Sequence, residues 1–252
     1  MDQGYRIWGR PMYARKAKMA FASMALVIVM ACALLSHRDN VPSENTEGTS
    51  QGWKEEFNLS GRKLSDRGEA RYFVLIPGFQ ATLESRNARL VITVLNETKV
   101  IGGITTRVVE EKEIQNERLS EVSRNFYAID LETEDAFYFG EEVESYENGE
   151  IAGHEGAWLA FEGDNRPGLI VPGNPEVGMK YYQELAPGVA MDRAEVVSIS
   201  ETFRTPAGKF KNCLVTEETS KIEPARERKT YCPGIGLVQD QSLLLVSYGK
   251  NE

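Results

Sequence analysis

Two cysteines are the residues best placed for covalent chemistry in this sequence. Cys213 and Cys232 lie in residues 201–240, a stretch that reads as three consecutive strands with a loop over residues 220–225. If that loop closes symmetrically, the two cysteines lie opposite each other on neighbouring strands, where a disulfide needs only a small approach. No Cys-x-x-Cys motif or flanking histidine activates either thiol, so we predict a structural disulfide. A pair of buried free cysteines is the alternative.

The same loop closure sets the register of the charged residues around it. It puts Glu217 opposite Arg228, which is a favourable pair. It also puts Glu218 opposite Glu227, and this like-charge pair argues mildly against the register unless both side chains reach water.

Residues suited to catalysis or to metal binding are few. No HExxH, GxSxG, P-loop or GxGxxG motif occurs, and His154 in a polar turn is the one histidine after residue 68. Glu141 with Glu184 is the carboxylate pair that a hydrolase would need, although nothing in the sequence brings the two together. The acidic residues of segment 130–135 either bind Ca²⁺ or form a solvated turn. We predict no catalytic, cofactor-binding or metal-binding residue.

Three aromatic residues are candidate contacts of a pocket or loop. Tyr181 and Tyr182 follow the Pro- and Gly-rich residues 163–178, and Trp158 precedes them. The alternative for the two tyrosines is an edge-strand pair that packs on the sheet.

The first 36 residues predict an export signal or a membrane anchor. Residues 1–18 hold five basic residues and one acid, and residues 19–35 hold no charge. A basic segment before an apolar run keeps its own end in the cytoplasm and sends the rest of the chain out. We therefore predict a basic cytoplasmic segment over residues 1–18 and a signal peptide or transmembrane helix over residues 19–36. Retention as an anchor, cleavage and lipidation at Cys32 are the alternatives.

The composition changes after this segment. Residues 37–68 are rich in Ser, Glu and Gly and poor in β-branched residues, which is typical of a flexible tether. Trp53 and Phe57 within it either dock on the domain or are exposed. Residues 69–250 are long enough to form one core, and we predict a single extracytoplasmic domain there.

Turn dipeptides divide this domain into short β-rich runs. Gly102-Gly103 and Asn148-Gly149 are hairpin signals because both positions tolerate a positive φ. Residues 108–122 hold many helix formers, but their apolar spacing does not fit a helix, so we predict a hairpin turning at residues 115–117. Residues 163–178 hold three prolines and four glycines and are predicted as a long surface loop. The predicted fold class is all-β: a single antiparallel meander sheet, curved into a half-barrel or open barrel, after one N-terminal helix.

The charge of the chain limits its partners. The sequence has 29 basic and 38 acidic residues, a net charge of −9, and the residues after position 36 hold 24 basic against 37 acidic. An acidic exported domain is repelled by phosphate backbones, so we expect no nucleic-acid partner. Contact with a membrane is expected through the N-terminal segment.

Several short motifs resemble a recurring family of exported bacterial proteins with no established activity. The resemblance covers nearly the whole domain, and it implies an antiparallel β-fold outside the cytoplasm but brings no catalytic residue. The motifs that carry it include Tyr138-Phe139-Gly140-Glu141, Gly156-Ala157-Trp158, Pro175-Glu176-Val177-Gly178, Tyr182-Gln183-Glu184, Pro206-Ala207-Gly208 and Pro233-Gly234-Ile235-Gly236.

Three classes of function remain open. The main prediction is a non-enzymatic binding or carrier module of the cell envelope, in which an open antiparallel sheet holds an apolar ligand. The alternatives are a structural or assembly partner at the envelope and a carboxylate-based hydrolase. A continuous apolar cavity would favour the carrier, and a solid core would favour the partner. No cofactor is predicted.

Overall fold

The structure is a computed structural model of the 252-residue chain and describes residues 52–224 and 226–250. The predicted cytoplasmic segment, the predicted signal or anchor helix with Cys32, and residues 37–51 of the predicted tether lie outside the described residues. Within the described part of the chain, no helix combines the length and the apolar character needed to span a membrane.

The described residues form strands and turns, with no helix among them. This confirms the all-β prediction. The strands over residues 88–101 and 104–115 are rich in β-branched residues and the strand over residues 136–147 is rich in aromatic residues. Both types of side chain pack well on a pleated surface. The strands are β1 Leu64–Ser65, β2 Gly68–Ala70, β3 Phe73–Leu75, β4 Phe79–Glu84, β5 Ala88–Ile101, β6 Ile104–Gln115, β7 Arg118–Asp130, β8 Ala136–Glu147, β9 Glu150–Gly153, β10 Trp158–Leu159, β11 Gly168–Val171, β12 Lys180–Tyr182, β13 Asp192–Thr205, β14 Gly208–Ser220, β15 Arg226–Cys232, β16 Gly236–Asp240 and β17 Leu243–Lys250.

One antiparallel sheet contains all of these strands except β2 and β3, which form a separate pair. Its order is β10-β8-β7-β6-β5-β4-β17-β16-β15-β14-β13-β12, with β1 on β7 and with β9 and β11 on β8. Most neighbours in the sheet are neighbours in sequence, so it is largely a meander. The exceptions are the ladder between β4 and β17 and the pairings of β1 with β7 and of β10 and β11 with β8. The order has two ends, so in the described residues the sheet is open and does not close into a barrel.

The predicted hairpins are confirmed. Gly102-Gly103 and Asn148-Gly149 connect their strands with a positive φ at both positions, as a type I′ turn requires. The segment with the helix-forming residues is also a hairpin, in which Gln115 pairs with Arg118. Its turn residues Asn116 and Glu117 have φ values of 48° and 64°.

The surface loop predicted over residues 163–178 is wrong in its middle part. Gly168–Val171 forms strand β11 against β8, and its residues Leu169 and Val171 are 3% and 1% exposed. The glycine that suggested a loop instead permits close packing, because a Cβ on Gly168 would lie 2.0 Å from the Gln183 carbonyl oxygen. Glycine in a strand often marks such a close approach of two backbones.

The tether predicted over residues 37–68 also differs from the structure, because its last part packs on the domain. Lys54 forms a parallel bridge with Tyr181 at the β12 end of the sheet. The ring of Phe57 lies 6.1 Å from that of Phe137 on β8, near the other end. Residues 52–57, which we term the N-terminal strap, therefore contact both ends of the open sheet. Of the two alternatives for Trp53 and Phe57, the structure shows docking on the domain.

The main hydrophobic core draws on both ends of the sheet. Tyr127 and Tyr138 come from β7 and β8, whereas Tyr181, Val196 and Leu214 come from β12, β13 and β14, and all five belong to one buried cluster. Strands so far apart in the ladder can share a core only if the sheet curves. The curvature gives the sheet a concave inner face.

The disulfide and the register around it agree with the prediction. Cys213 and Cys232 are bonded, with Cα atoms 4.3 Å apart. The ladder between β14 and β15 pairs Leu214 with Tyr231 and continues to the Glu217–Arg228 and Glu218–Glu227 pairs. Both cysteines are fully buried in a second hydrophobic cluster, so the crosslink is shielded from solvent.

Candidate functional site

The two tyrosines predicted as pocket contacts face opposite sides of the sheet. Tyr182 packs edge-on against Trp53 of the N-terminal strap, with ring centroids 6.1 Å apart. Arg193 lies over the same Trp53 ring at 4.3 Å. Tyr181 pairs with Ala194 and is fully buried. Because successive side chains of a strand alternate in direction, Tyr181 projects to the inner face and Tyr182 to the outer face.

Strands β6, β7 and β8 form the first wall of the inner face. Directly paired residues of neighbouring strands share a face, so the pairing of Val109 with Asn125, and of Asn125 with Glu141, aligns these three. Glu111, two residues further along β6, points the same way. The Tyr138 hydroxyl donates a hydrogen bond to Asn125 Oδ1 at 2.6 Å. This wall is therefore polar although it is buried.

Trp158 extends the first wall by one strand. It pairs with Glu141, so the two side chains share the inner face. Its indole ring packs edge-on against Tyr138, with centroids 5.4 Å apart, and the residue is 5% exposed.

Strands β14, β15 and β16 form the second wall. Glu218 pairs with Glu227, Thr216 pairs with Lys229, and Lys229 pairs with Asp240. These side chains share one face by the same rule. Ala194 pairs with Glu218 as well as with Tyr181, so this is also the face of Tyr181.

Glu218 on the second wall makes one ion pair and three hydrogen bonds. Lys229 Nζ lies 3.0 Å from its Oε2 atom. Its Oε1 atom accepts hydrogen bonds from Thr216 Oγ1 and Gln183 Nε2, each at 3.0 Å, and from the Tyr231 hydroxyl at 3.4 Å. The like-charge pair of Glu218 and Glu227 is thus compensated by Lys229 on the same face, and Glu227 also reaches solvent.

The two walls face each other across the interior of the curved sheet. Glu111 on the first wall is subject to the charges of Lys229 and Asp240 on the second. Tyr127 on β7 is subject to the charges of Glu184 and Lys229. We call the resulting group of facing charged residues the interior cluster; its members are Glu111, Glu141, Glu184, Glu218, Glu227, Lys229 and Asp240.

The electrostatics of the interior cluster keep Glu111 protonated at neutral pH. Burial raises the pKa of the Glu111 carboxyl to about 8. Lys229 opposes this shift, whereas Glu113, Asp240 and Glu141 add to it by charge repulsion. Burial also raises the pKa of Asp240. The interior therefore holds more carboxyl groups than it can ionise without cost.

Lys229 remains charged in these surroundings. Burial alone would lower the pKa of its ammonium group, but Glu218 and Asp240 outweigh burial and hold that pKa well above its usual value. Its side chain is 21% exposed, that of Glu227 is 25% exposed, and that of Glu218 is 7% exposed. The interior cluster is thus reached by solvent from the Glu227 side.

Tyrosine hydroxyls supply the neutral hydrogen-bonding groups of the interior. Burial raises the pKa values of Tyr127, Tyr138, Tyr181 and Tyr231 well above the ordinary value, so all four hydroxyls stay protonated. Within the described residues, the Tyr181 hydroxyl has no hydrogen-bond partner, and neither has Nε1 of Trp158. A buried donor without a partner costs about 1–3 kcal/mol. Such groups in a native protein call for an explanation, for example a bound molecule.

Replacing Glu111 with glutamine is expected to flatten the pH dependence of stability between pH 4.5 and pH 8. The pKa of Glu111 is raised from 4.5 to about 8 by folding, so the folded state holds a proton that the unfolded state releases in this range. Stability from this group therefore falls as pH rises through the window, by up to about 1.4 kcal/mol per pH unit. Urea unfolding at several pH values would measure the slope.

Glu110→Gln is the matched control, because the neighbouring Glu110 projects from the opposite face and pairs with Lys112 at 2.7 Å. It should leave the slope unchanged. Equal slopes for Glu111→Gln and the wild type would contradict the assignment of a protonated Glu111.

The residues that the sequence suggested for catalysis lie in different surroundings: two glutamates are buried and the histidine is exposed. Glu141 and Glu184 are 7% and 8% exposed, and the charges of both act on Tyr138. The structure therefore brings this pair into one interior, which nothing in the sequence predicted. His154 is exposed, with Nδ1 2.7 Å from the Val143 carbonyl oxygen.

The acidic turn at residues 130–135 binds an arginine. Arg62 Nη1 lies 2.7 Å from Asp130 Oδ2 and 3.3 Å from Asp135 Oδ2. Burial would raise the pKa of Asp130, but hydrogen bonds from the Glu132 and Thr133 amides and from Arg62 lower it overall. These contacts leave the Ca²⁺ alternative without support. Among the described residues, no group of three or more His, Cys, Asp and Glu side chains is arranged to hold a metal ion.

Sequence reasoning missed most of the interior cluster. Its signal is the alternation of Glu227, Lys229 and Tyr231 along β15, opposite Thr216 and Glu218 on β14. The predicted register already contained these pairs. They were not read as a site because polar alternation usually marks the solvent face of a strand.

Comparisons with known proteins identify no family. No protein-family model matches the sequence, and no curated protein matches it. Two solved structures are similar to parts of the chain. A candidate lipoprotein from Parabacteroides distasonis is 10% identical with a TM-score of 0.36, and the match covers 73% of this chain and 100% of that chain. A candidate exported protein with a YmcC-like fold from Bacteroides fragilis is 17% identical with a TM-score of 0.39, over 72% of this chain and 100% of that chain.

Proposed function

We propose that the domain is a non-enzymatic binding module that acts outside the cytoplasm and holds a small polar molecule against the interior cluster. The curved sheet supplies two polar walls, and solvent reaches them from the side of Glu227. Binding sites of this kind combine a mostly preformed concave surface with a few convergent polar groups.

The proposal rests on two buried hydrogen-bond donors on the inner face. The Tyr181 hydroxyl and Trp158 Nε1 have no hydrogen-bond partner among the described residues. They come from β12 and β10, which are the two ends of the sheet. A ligand that lies between the two walls would satisfy both donors. In a core with a purely structural role, two buried donors without partners would only cost stability.

The location outside the cytoplasm is supported by the N-terminal sequence. Five basic residues precede an uncharged run, and this order directs the following chain across a membrane. The buried disulfide fits the same compartment, because disulfides persist where the environment is oxidising.

The proposed ligand differs from the apolar ligand expected from the sequence. The inner face carries carboxylates, a lysine and tyrosine hydroxyls, and a lipid chain placed there would leave these groups desolvated and unpaired. A polar molecule can exchange hydrogen bonds with them instead.

Denaturing the full-length protein, purified in mild detergent from cells that express it, is expected to release a small polar compound in about equal molar amount. Mass spectrometry would identify it. The Tyr181→Phe/Trp158→Phe double variant should release much less, because it removes both buried donors. Tyr248→Phe, which changes a 45% exposed tyrosine, should behave like the wild type. Release of no compound, or of a lipid, would reject the proposal.

A further inference from the structure

We infer that the molecule held by the interior cluster is an organic cation that also carries hydroxyl or carbonyl groups, such as an amino polyol or amino sugar. The inference rests on the proposed function and specifies the chemical class of its ligand. It follows from two separate sets of groups on the inner face: the carboxyl groups and the two buried neutral donors.

The carboxyl groups set the charge of the ligand. Lys229 contacts Glu218 at 3.0 Å and Glu227 at 4.0 Å, and it pairs with Asp240 across the ladder. Its charge also acts on Glu111 of the first wall, so four carboxyl groups from the two walls interact with the same lysine. Repulsion among carboxyl groups in a poorly solvated space is relieved by protonation or by a cation. An ammonium group that enters between the walls would supply that cation, whereas an anion would add to the repulsion.

The two neutral donors show that charge alone is not sufficient. An indole N–H can only donate a hydrogen bond, so Trp158 requires an acceptor atom on the ligand. The Tyr181 hydroxyl can both donate and accept. A simple metal ion or an alkyl polyamine offers no acceptor to Trp158, but a hydroxyl or carbonyl group does. An ammonium group and a hydroxyl on one small molecule therefore fit both sets.

Proton release should accompany the binding of such a cation. The charged and titratable groups that act on Glu111 are Lys229, Glu113, Asp240 and Glu141. A new positive charge beside them favours the ionised form of Glu111, so its pKa falls on binding and it releases a proton near pH 7.5. A neutral polyol has no such effect.

Glucamine and sorbitol form a matched pair of probes, since they differ only in an amino group that replaces one hydroxyl. Titration calorimetry of the full-length protein in detergent at pH 7.5, in phosphate and in HEPES, would measure both affinity and proton release. We expect glucamine to bind at least roughly tenfold more tightly than sorbitol. We also expect release of up to one proton with glucamine and weaker binding at high salt.

Glu227→Gln tests how much one carboxylate contributes to glucamine affinity, at the side of the interior cluster that solvent reaches. It should weaken glucamine binding roughly tenfold, as expected for the loss of one charged hydrogen bond, and leave sorbitol binding unchanged. Glu201→Gln changes an exposed carboxylate outside the cluster and should change neither.

The outcomes separate this inference from the proposed function. Sorbitol binding as tight as that of glucamine, or equal effects of the two Glu→Gln variants, would overturn the cationic class but leave a polar binding site. If neither probe binds, the compound released on denaturation decides. If that compound is a hydroxylated organic cation, the inference holds. If it is neutral or anionic, the inference is overturned and the proposed function remains. If no compound is released, both are overturned.

Discussion

Replacing Lys229 with methionine is expected to lower the free energy of unfolding by about 3–5 kcal/mol. The ammonium group lies 3.0 Å from Glu218, whose side chain is 7% exposed. Methionine retains much of the apolar stem but leaves the surrounding carboxylates without a counter-charge. Urea unfolding followed by circular dichroism at pH 7 would measure the loss.

Two further variants distinguish this interior ion pair from an ordinary one. Lys63→Met removes a lysine that lies 2.7 Å from Glu132, in a pair whose side chains are 70% and 60% exposed. It should cost no more than about 1 kcal/mol. Adding Glu218→Gln to Lys229→Met should recover part of the lost stability, because it removes one of the uncompensated charges. Equal effects of Lys229→Met and Lys63→Met would refute this account.

Removing the disulfide is the second change with a large expected effect. Cys213 and Cys232 are separated by 19 residues, and closing a loop of that size stabilises a fold by about 3 kcal/mol in the chain-entropy model. The double Cys→Ser variant should therefore melt at a clearly lower temperature than the wild type under oxidising conditions. Calorimetry of the two proteins would measure the difference.

Reductant provides the control for this comparison. Adding it should lower the melting temperature of the wild type toward that of the double serine variant and leave the variant unchanged. A wild type that melts at the same temperature with and without reductant, although its thiols become titratable, would show that the crosslink does not contribute to stability.

The local features of the fold could be predicted from the sequence because they depend on a few residues each. Two adjacent positions that tolerate a positive φ are enough to specify a hairpin, as at Gly102-Gly103 and Asn148-Gly149. Symmetric closure of the loop over residues 220–225 then predicted the register that places Cys213 opposite Cys232. The β11 strand was missed because the glycines and prolines around it also occur in exposed loops, and only the position of Gln183 shows why Gly168 is needed.

The candidate site could be predicted only in part, because it depends on which face of each strand lies inside. Tyr181 and Trp158 were identified as aromatic residues near a loop, but their buried donors become apparent only when the two ends of the sheet are placed together. Glu111 and Lys229 are separated by many strands in the ladder. The sequence around either residue does not indicate that the sheet curves and brings the two side chains face to face.

The ladder between β4 and β17 has a consequence for the order in which the protein can fold. Strands β5 to β8 and strands β12 to β16 are each joined to neighbours along the chain, but the two groups become one sheet only through Phe79–Glu84 and Leu243–Lys250. A chain that emerges from its N-terminal end presents the second of these strands last, after nearly all of the domain. Until it arrives, β4 and β16 both present unpaired strand edges, which are templates for aggregation. Chains that stall before residue 243 should therefore aggregate rather than persist as a smaller folded domain.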